Sequence, residues 1–420
     1  MRISLKTITW KYFIFFIPII MLDYYLIMRN ININTILLFP AFILFVLNAI
    51  NIAVNSSHSP FITSLNLFVG YCLLTLICYA FNNTPIACYI GGVKSFLFPI
   101  VFAYMGYVDT ADDKFNTWYM YACLFCFICG LYLYFSPPSY YTEFLIKSRD
   151  AAWNTSANSL TEETVMNWSR FSSFFTTSYA IQYFGVPALI MSLVFSTKKK
   201  GSINKWTCYL LAIVSFISCI LCQQRMAMAW AFFVPFALGI YYATKGDFNI
   251  LRIVIISIVL VISLMGFILS LERFDIVSEM VSNRFGQMNF IDALNDRTGQ
   301  FQSFSRTTPL SLIFGLGLGS CSGIAGAFGL DAVFDSEFPK IFYELGLIGI
   351  LLFLLLIIPT VVRGIRYFRY MHMELLIVLF FLVAGIGSDS LTFFLFDVIF
   401  WYTLGRIWNK NLQIYRTQNN

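Results

Sequence analysis

The chain has 420 residues, of which 59% are apolar, 19% aromatic and only 11% charged, with a formal net charge of +6. Soluble domains carry roughly 25% charged residues, so a surface this poor in charge excludes a water-soluble globular protein. Nor does the net positive charge indicate nucleic acid: Lys and Arg occur in pairs and triplets between apolar runs, where they mark loops and not a basic groove.

A membrane span takes about 20 mostly apolar residues. Runs of that kind predict twelve spans, near 12–28, 35–54, 61–80, 86–107, 117–135, 173–196, 206–223, 227–243, 251–271, 340–362, 373–388 and 391–407. The first, Tyr12 to Met28, lacks a small-residue cleavage site and is expected to be retained. Gly91, Gly92, Lys94 and Pro99 interrupt the fourth, and the final pair could instead form one re-entrant element. The predicted fold is all-α: a polytopic transmembrane bundle of about 12 spans, with residues 1–420 as a single integral membrane domain.

Charge sets the orientation. Arg2, Lys6 and Lys11 precede the first span, Lys198, Lys199, Lys200 and Lys205 fill one short loop, and Lys245 and Arg252 bracket another. Arg363, Arg366 and Arg369 fill a third, and Arg406, Lys410 and Arg416 close the chain. With twelve spans all of these fall on one side with both termini, and the positive-inside rule makes that side the cytoplasm. The loop Asp109–Asn116 is net acidic and adds no support. Two long loops then lie outside, residues 136–172 and 272–339. Loops over about 15 residues are usually functional or disordered, and the apolar and aromatic residues throughout these two argue against disorder. In the second, Val277, Met280, Val281, Phe285, Met288 and Ile291 recur at three- and four-residue spacing. That spacing predicts a short amphipathic helix on the outer surface.

The ten cysteines do not read as a disulfide framework. Cys123, Cys126 and Cys129, like Cys219 and Cys222, repeat every third residue inside apolar runs, where they serve as small apolar side chains. No metal site and no cofactor are expected.

The outer side carries eight arginines, Arg29, Arg149, Arg170, Arg225, Arg273, Arg284, Arg297 and Arg306, but only one lysine, Lys147, besides Lys340 at the border. The cytoplasmic loops mix seven arginines with nine lysines. A guanidinium grips phosphate as a rigid fork, whereas an ammonium is a hydrated point charge, so this face suits a lipid-linked pyrophosphate. The plainer alternative is pairing with nearby acids, as for Arg273 beside Glu272 and Asp275, and Arg297 beside Asp296. Arg170 and Arg225 have no acidic residue within five positions, and each sits at the outer end of a span. An unpaired cation there is costly and marks function. Asp23, Lys94 and Asp397 also fall toward outer ends and suggest a shared polar cavity opening outward.

The run Gly315-Leu-Gly317-Leu-Gly319 lacks the strand and helix of a dinucleotide fingerprint and is read as tight backbone turning. After it, Asp335 and Glu337 stand at the outer end of the tenth span. A carboxylate there could take the proton of an attacking sugar hydroxyl, or simply complement a helix dipole.

Together these residues resemble the O-antigen ligase and O-antigen polymerase (Wzy) group of bacterial membrane glycosyltransferases. The matching features are the twelve-span plan, the long late external loop and the Gly315–Gly319 turn. Ligases of the group carry a histidine, ten residues and then a glycine; here Asp335 and Gly346 hold those positions. Arg225 matches an arginine that opens a span, with Ala229 in place of the expected leucine. Arg306 and Gly317 fit an Arg-x10-Gly pattern of some polymerases, whereas Arg170 is followed by Ile181 instead. The missing histidine favours polymerase over ligase.

The resemblance implies transfer of a glycan from undecaprenyl pyrophosphate to a lipid-linked repeat unit at the periplasmic face of the inner membrane. It assigns Arg170, Arg225, Arg284, Arg297 and Arg306 to the pyrophosphates and Asp335 or Glu337 to the acceptor's proton. No metal is required, because the arginines carry the electrostatics. Expected partners are the lipid-linked oligosaccharide, the bilayer, and a chain-length regulator and flippase of the same pathway. The alternatives are an O-antigen ligase and a lipid-linked oligosaccharide flippase. A flippase should show paired halves and charges through both leaflets, and this chain shows neither.

Overall fold

The structure is a computed structural model. It describes residues 33–55, 59–82, 84–109, 113–142, 171–175, 178–197, 203–244, 308–321, 336–388, 390–391 and 396–409, with Ala325 and Phe328. In chain order the elements are α1 (Ile33–Asn55), α2 (Pro60–Leu74), α3 (Leu76–Asn82), α4 (Ile86–Gly92), a π turn (Val93–Leu97) and α5 (Phe98–Val108). Then come α6 (Lys114–Phe135), α7 (Tyr179–Thr197), α8 (Lys205–Leu221) and α9 (Arg225–Thr244). The last are α10 (Pro309–Phe314), α11 (Glu337–Arg366), α12 (Phe368–Ala384) and α13 (Val398–Ile407). There is no strand among the described residues.

Among the described residues, six stretches are long and apolar enough to cross a membrane: Pro60–Asn82, Ile86–Val108, Lys114–Phe135, Tyr179–Thr197, Arg225–Tyr242 and Glu337–Arg366. Their outward faces carry Leu67, Leu74, Phe81, Phe236 and Leu351 exposed, a surface that suits lipid and not water. The spans expected near 12–28 and 251–271 lie outside the described residues.

The fourth predicted span is helical throughout, and its interruptions change its register instead of ending it. Pro99 has no N–H to give to the preceding turn. The chain widens to a π turn over Val93–Leu97, where the Phe98 amide donates to Val93 five residues back. The sixth helix starts at Tyr179, not near 173. Before it, residues 171–175 form a buried turn in which Ser173 has φ 53°, and the Tyr141 hydroxyl donates to the Ser173 carbonyl at 2.8 Å. The last helix has only ten residues. At about 1.5 Å per residue it is too short to cross alone.

The chain forms two compact units, residues 1–126 with 297–420, and residues 127–296. In the second unit α7 is the central helix, with nearly all its side chains buried. Gly185 lets the Cys219 sulfur of α8 approach its backbone, and Phe175 stacks on Phe184 at 5.0 Å.

In the first unit α5 and α13 run in the same sense and cross almost backbone to backbone. Gly106 meets the Tyr402 carbonyl, and Gly405 meets the Ala103 carbonyl, the close approach that small residues allow. Beyond the crossing, the fully buried Arg406 binds three carboxylates. Its Nη1 donates to Asp109 at 2.8 Å and its Nε to Glu374 at 3.2 Å, while Nη2 pairs with Asp113. The Tyr402 hydroxyl joins the same group through Asp109 and Arg406. Arg406, a loop charge in the orientation argument, is therefore an internal fastener joining the ends of α5 and α13 to the starts of α6 and α12.

Candidate functional site

In the second unit α8 ends at Leu221 and α9 begins at Arg225, so three residues make the turn. Gln223 adopts φ 54°, a left-handed conformation uncommon for a residue with a side chain. Gln224 donates to Ser178 at 2.9 Å, and the Phe171 amide donates to the Leu221 carbonyl at 3.1 Å. These bonds fix the turn and present Arg225 as the first residue of a 20-residue helix. Its side chain is exposed and makes no hydrogen bond or ion pair among the described residues.

In the first unit the glycine run is a tight turn pinned by side chains from α2 and α3. Gly315, Gly317 and Gly319 have φ of 81°, 105° and 87°. The Tyr71 hydroxyl lies 2.9 Å from the Phe314 carbonyl, and Tyr79 donates to Leu318 at 2.7 Å. The Leu318 amide donates to the Thr75 hydroxyl at 3.2 Å, and the Cys321 amide to Glu344 at 3.0 Å. Because the Leu316 and Gly317 amides also bond, to Tyr343 and Glu344, these N–H groups are committed internally, unlike those of a phosphate cradle. Tyr71, Thr75, Tyr79 and Asn82 escaped the sequence reading. Their spacing of four, four and three is a polar stripe down one face of an apolar helix, which is the signal that marks them.

Beside this turn, α2, α3, α10 and α11 border a cavity of about 510 Å³. Tyr71, Thr75, Phe81, Thr308 and Phe314 are among its walls, and no charged residue lines it among the described residues. Its described walls suit an apolar group.

Glu337 begins α11 and is fully buried. Its Oε2 accepts the backbone amides of Ser390 and Leu391, each at 2.8 Å, and its own amide donates to the Gly385 carbonyl at 2.9 Å. The side chain thus ties the start of α11 to the turn between α12 and α13. Asp397, immediately before α13, is also fully buried, while Lys94 is exposed. Gly346, eleven residues after Asp335, has φ 64° and ψ −169° and breaks α11 in two where it meets Gly315.

Asp335, Arg170, Arg284, Arg297, Arg306, Asp23 and the amphipathic stretch 277–291 lie outside the described residues. None of the ten cysteines forms a disulfide. No protein-family model matches the chain, and no curated protein or solved structure matches it significantly.

Proposed function

We propose that the chain is an oligosaccharide repeat-unit polymerase of a bacterial inner membrane, with twelve spans, both termini cytoplasmic and its working face periplasmic. The observation that carries this reading is Arg225. A helix begins with a partial positive charge and unsatisfied N–H groups, so an additional cation at that position is unfavourable without an anion. Arg225 is exposed there with no acidic partner among the described residues. Guanidinium and first-turn amides together form a phosphate-binding arrangement. Arg170, Arg284, Arg297 and Arg306 would complete the contacts to the two lipid pyrophosphates.

In the reaction, the acceptor sugar's hydroxyl oxygen attacks the anomeric carbon of the donor glycan. Its proton passes to a carboxylate as the carbon–oxygen bond forms. The bond to the pyrophosphate breaks, and undecaprenyl pyrophosphate leaves with its charge held by the arginines. Direct displacement inverts the anomeric configuration. Of the two candidate carboxylates, Glu337 is enclosed and already holds two backbone amides, so Asp335 takes the base role and Glu337 the bracing role.

The surface glycan of a deletion strain tests the reading. Single repeat units on the lipid core support a polymerase. Bare core with accumulated polymer would instead mean a ligase, and unexported units a flippase. In the complemented strain, Arg225→Lys should lose chain extension nearly as fully as Arg225→Ala at normal expression, because only the guanidinium fork grips phosphate bidentately. Normal extension by the Lys variant would remove Arg225 as a specific phosphate ligand.

A further inference from the structure

Residues 308–321 belong to a stretch that apolar run length reads as an external loop, yet their partners lie deep within spans. The stretch Pro60–Asn82 has 23 residues. At roughly 1.5 Å per residue it is about 34 Å long, which matches a hydrocarbon core about 30 Å thick. Tyr71 stands at its middle. The Tyr71 hydroxyl donates to the Leu345 carbonyl at 2.8 Å and lies 2.9 Å from the Phe314 carbonyl. A second ruler agrees with the first. Gly346, which meets Gly315, comes nine residues after Glu337, about 14 Å along α11. The glycine turn is therefore near mid-membrane, and the chain is back at the end shared by Asn82 and Glu337 when α11 starts.

The two sides of this segment differ as an element in hydrocarbon requires. Non-helical backbone at membrane depth is tolerated only where protein covers it. Gly315 and residues 317–321 are buried. Thr75, Tyr79 and the Tyr343 and Glu344 carbonyls bond the backbone groups of the turn. The other side is apolar and open, with Leu310, Leu312, Ile313 and Phe314 of α10 all exposed. In water that flank would be a liability. In lipid it is ordinary surface.

The cavity of about 510 Å³ lies beside α10 at the same depth. Leu74, Ile77, Phe81, Leu310 and Phe314 line it and are exposed, so it opens sideways to the medium around the helices. Its polar wall groups are already bonded: the Thr75 hydroxyl donates to the Cys72 carbonyl at 2.7 Å, and Ser311 to the Thr308 carbonyl at 2.8 Å. A buried water needs about two to four polar partners, and these walls do not offer them. At the rim, Asn82 and Thr308 are exposed and uncharged. An amide and a hydroxyl suit the ester carbonyls of a phospholipid, whereas no charged residue among the described lining selects a pyrophosphate carrier.

We propose that residues 308–321 form a re-entrant element inside the bilayer, and that the cavity beside α10 binds one acyl chain of a phospholipid from the surrounding leaflet. The chain enters sideways between α3 and α10, and the turn at Gly315 closes the deep end. This site does not rest on the polymerase reading.

The test uses the full chain. In nanodiscs, the emission added by Leu310→Trp should be quenched by phosphatidylcholine brominated in mid-chain and left unchanged by iodide in the water. Quenching by iodide and not by bromine overturns the membrane placement. In detergent, native mass spectrometry of wild type should show one dioleoyl phosphatidylethanolamine retained through detergent exchange. A version of that lipid with a diazirine in its acyl chain should crosslink to Cys78 or Ile348, within the cavity. Crosslinks confined to outward faces, or no retained lipid, overturn the site. Cys78→Trp and Ile348→Trp fill the cavity from two walls and should lose the lipid. Leu351→Trp, on an exposed position of α11 outside the cavity, should keep it. A folded cavity-filling variant that still holds the lipid overturns the site. Displacement of the phospholipid by undecaprenyl phosphate at equal concentration overturns the choice of ligand in favour of a carrier lipid.

Discussion

Replacing Arg406 by methionine would leave Asp109, Asp113 and Glu374 enclosed without the guanidinium that joins them. Removing one partner of a buried ion pair costs about 3–5 kcal/mol, most of it from the charge left behind. Arg406→Met should therefore unfold at a markedly lower temperature in detergent. Adding Asp109→Asn, Asp113→Asn and Glu374→Gln to the same chain should recover part of the loss. A single variant as stable as wild type would show that the cluster does not fasten the fold. The contrast with Arg225 explains what was legible at this scale. Arg225 stands out because its own sequence neighbourhood holds no acid, and its side chain is exposed without a partner among the described residues. Arg406 looks just as basic in sequence, but its partners are 32 to 297 positions away. Local charge patterning cannot see a pair closed by tertiary packing. The amides that hold Glu337 lie 53 and 54 residues further on, equally out of reach of local patterning.

At the scale of elements, apolar run length located most of the described helices to within about five residues, because lipid demands long unbroken apolar stretches, but α7 and α13 start six and seven residues after the runs that predicted them. It missed the breaks inside them. Thr75 separates α2 from α3, its hydroxyl bonding back to the Cys72 carbonyl at 2.7 Å while accepting the Leu318 amide. Gly346 splits α11 for a different reason. Its φ and ψ fall in a region essentially reserved for glycine, where another residue costs about 1–3 kcal/mol. A Cβ there would also meet the Ile313 carbonyl carbon at 2.6 Å. Gly346→Ala should thus lower thermal stability and expose the Gly315–Gly319 turn to proteolysis. Gly70, inside α2, is the control, with nothing within 4 Å of an added Cβ. Gly70→Ala should be neutral or slightly stabilising, since glycine costs a helix interior about 0.5–1 kcal/mol. Equal behaviour of the two variants would mean that the break at Gly346 is not structurally required.

For the whole molecule, helix contacts supply an ordering that the loop charges do not use. Within the first unit Phe61 stacks on Tyr107 and Trp408, and the Arg363 guanidinium lies 4.6 Å from the Trp408 ring centre. Arg406 adds Asp109, Asp113 and Glu374 to that end. At the opposite end Glu337 gathers Gly385, Ser390 and Leu391. Along α2 and α11 the pairs Tyr71 with Leu345 and Phe68 with Phe353 run antiparallel. Packing therefore places residues near 61, 107, 363 and 408 together and those near 337, 385 and 391 together. The twelve-span plan groups them identically, with the first set beside the basic loops and the second beside the long loops. Packing shows which ends lie together, while the proposal of which end faces the cytoplasm rests on the Lys and Arg bias. Alkaline phosphatase fused after Thr155 or Asn295 should be active, and after Lys199 inactive. Fusions at Tyr367 and Ser388 examine the part that packing fixes, and should be inactive and active respectively. A complete reversal of all five would invert the protein in the membrane while leaving its packing correct. Equal activity at Tyr367 and Ser388 would mean that α12 does not separate two sides, and would favour a re-entrant pair formed by α12 and α13.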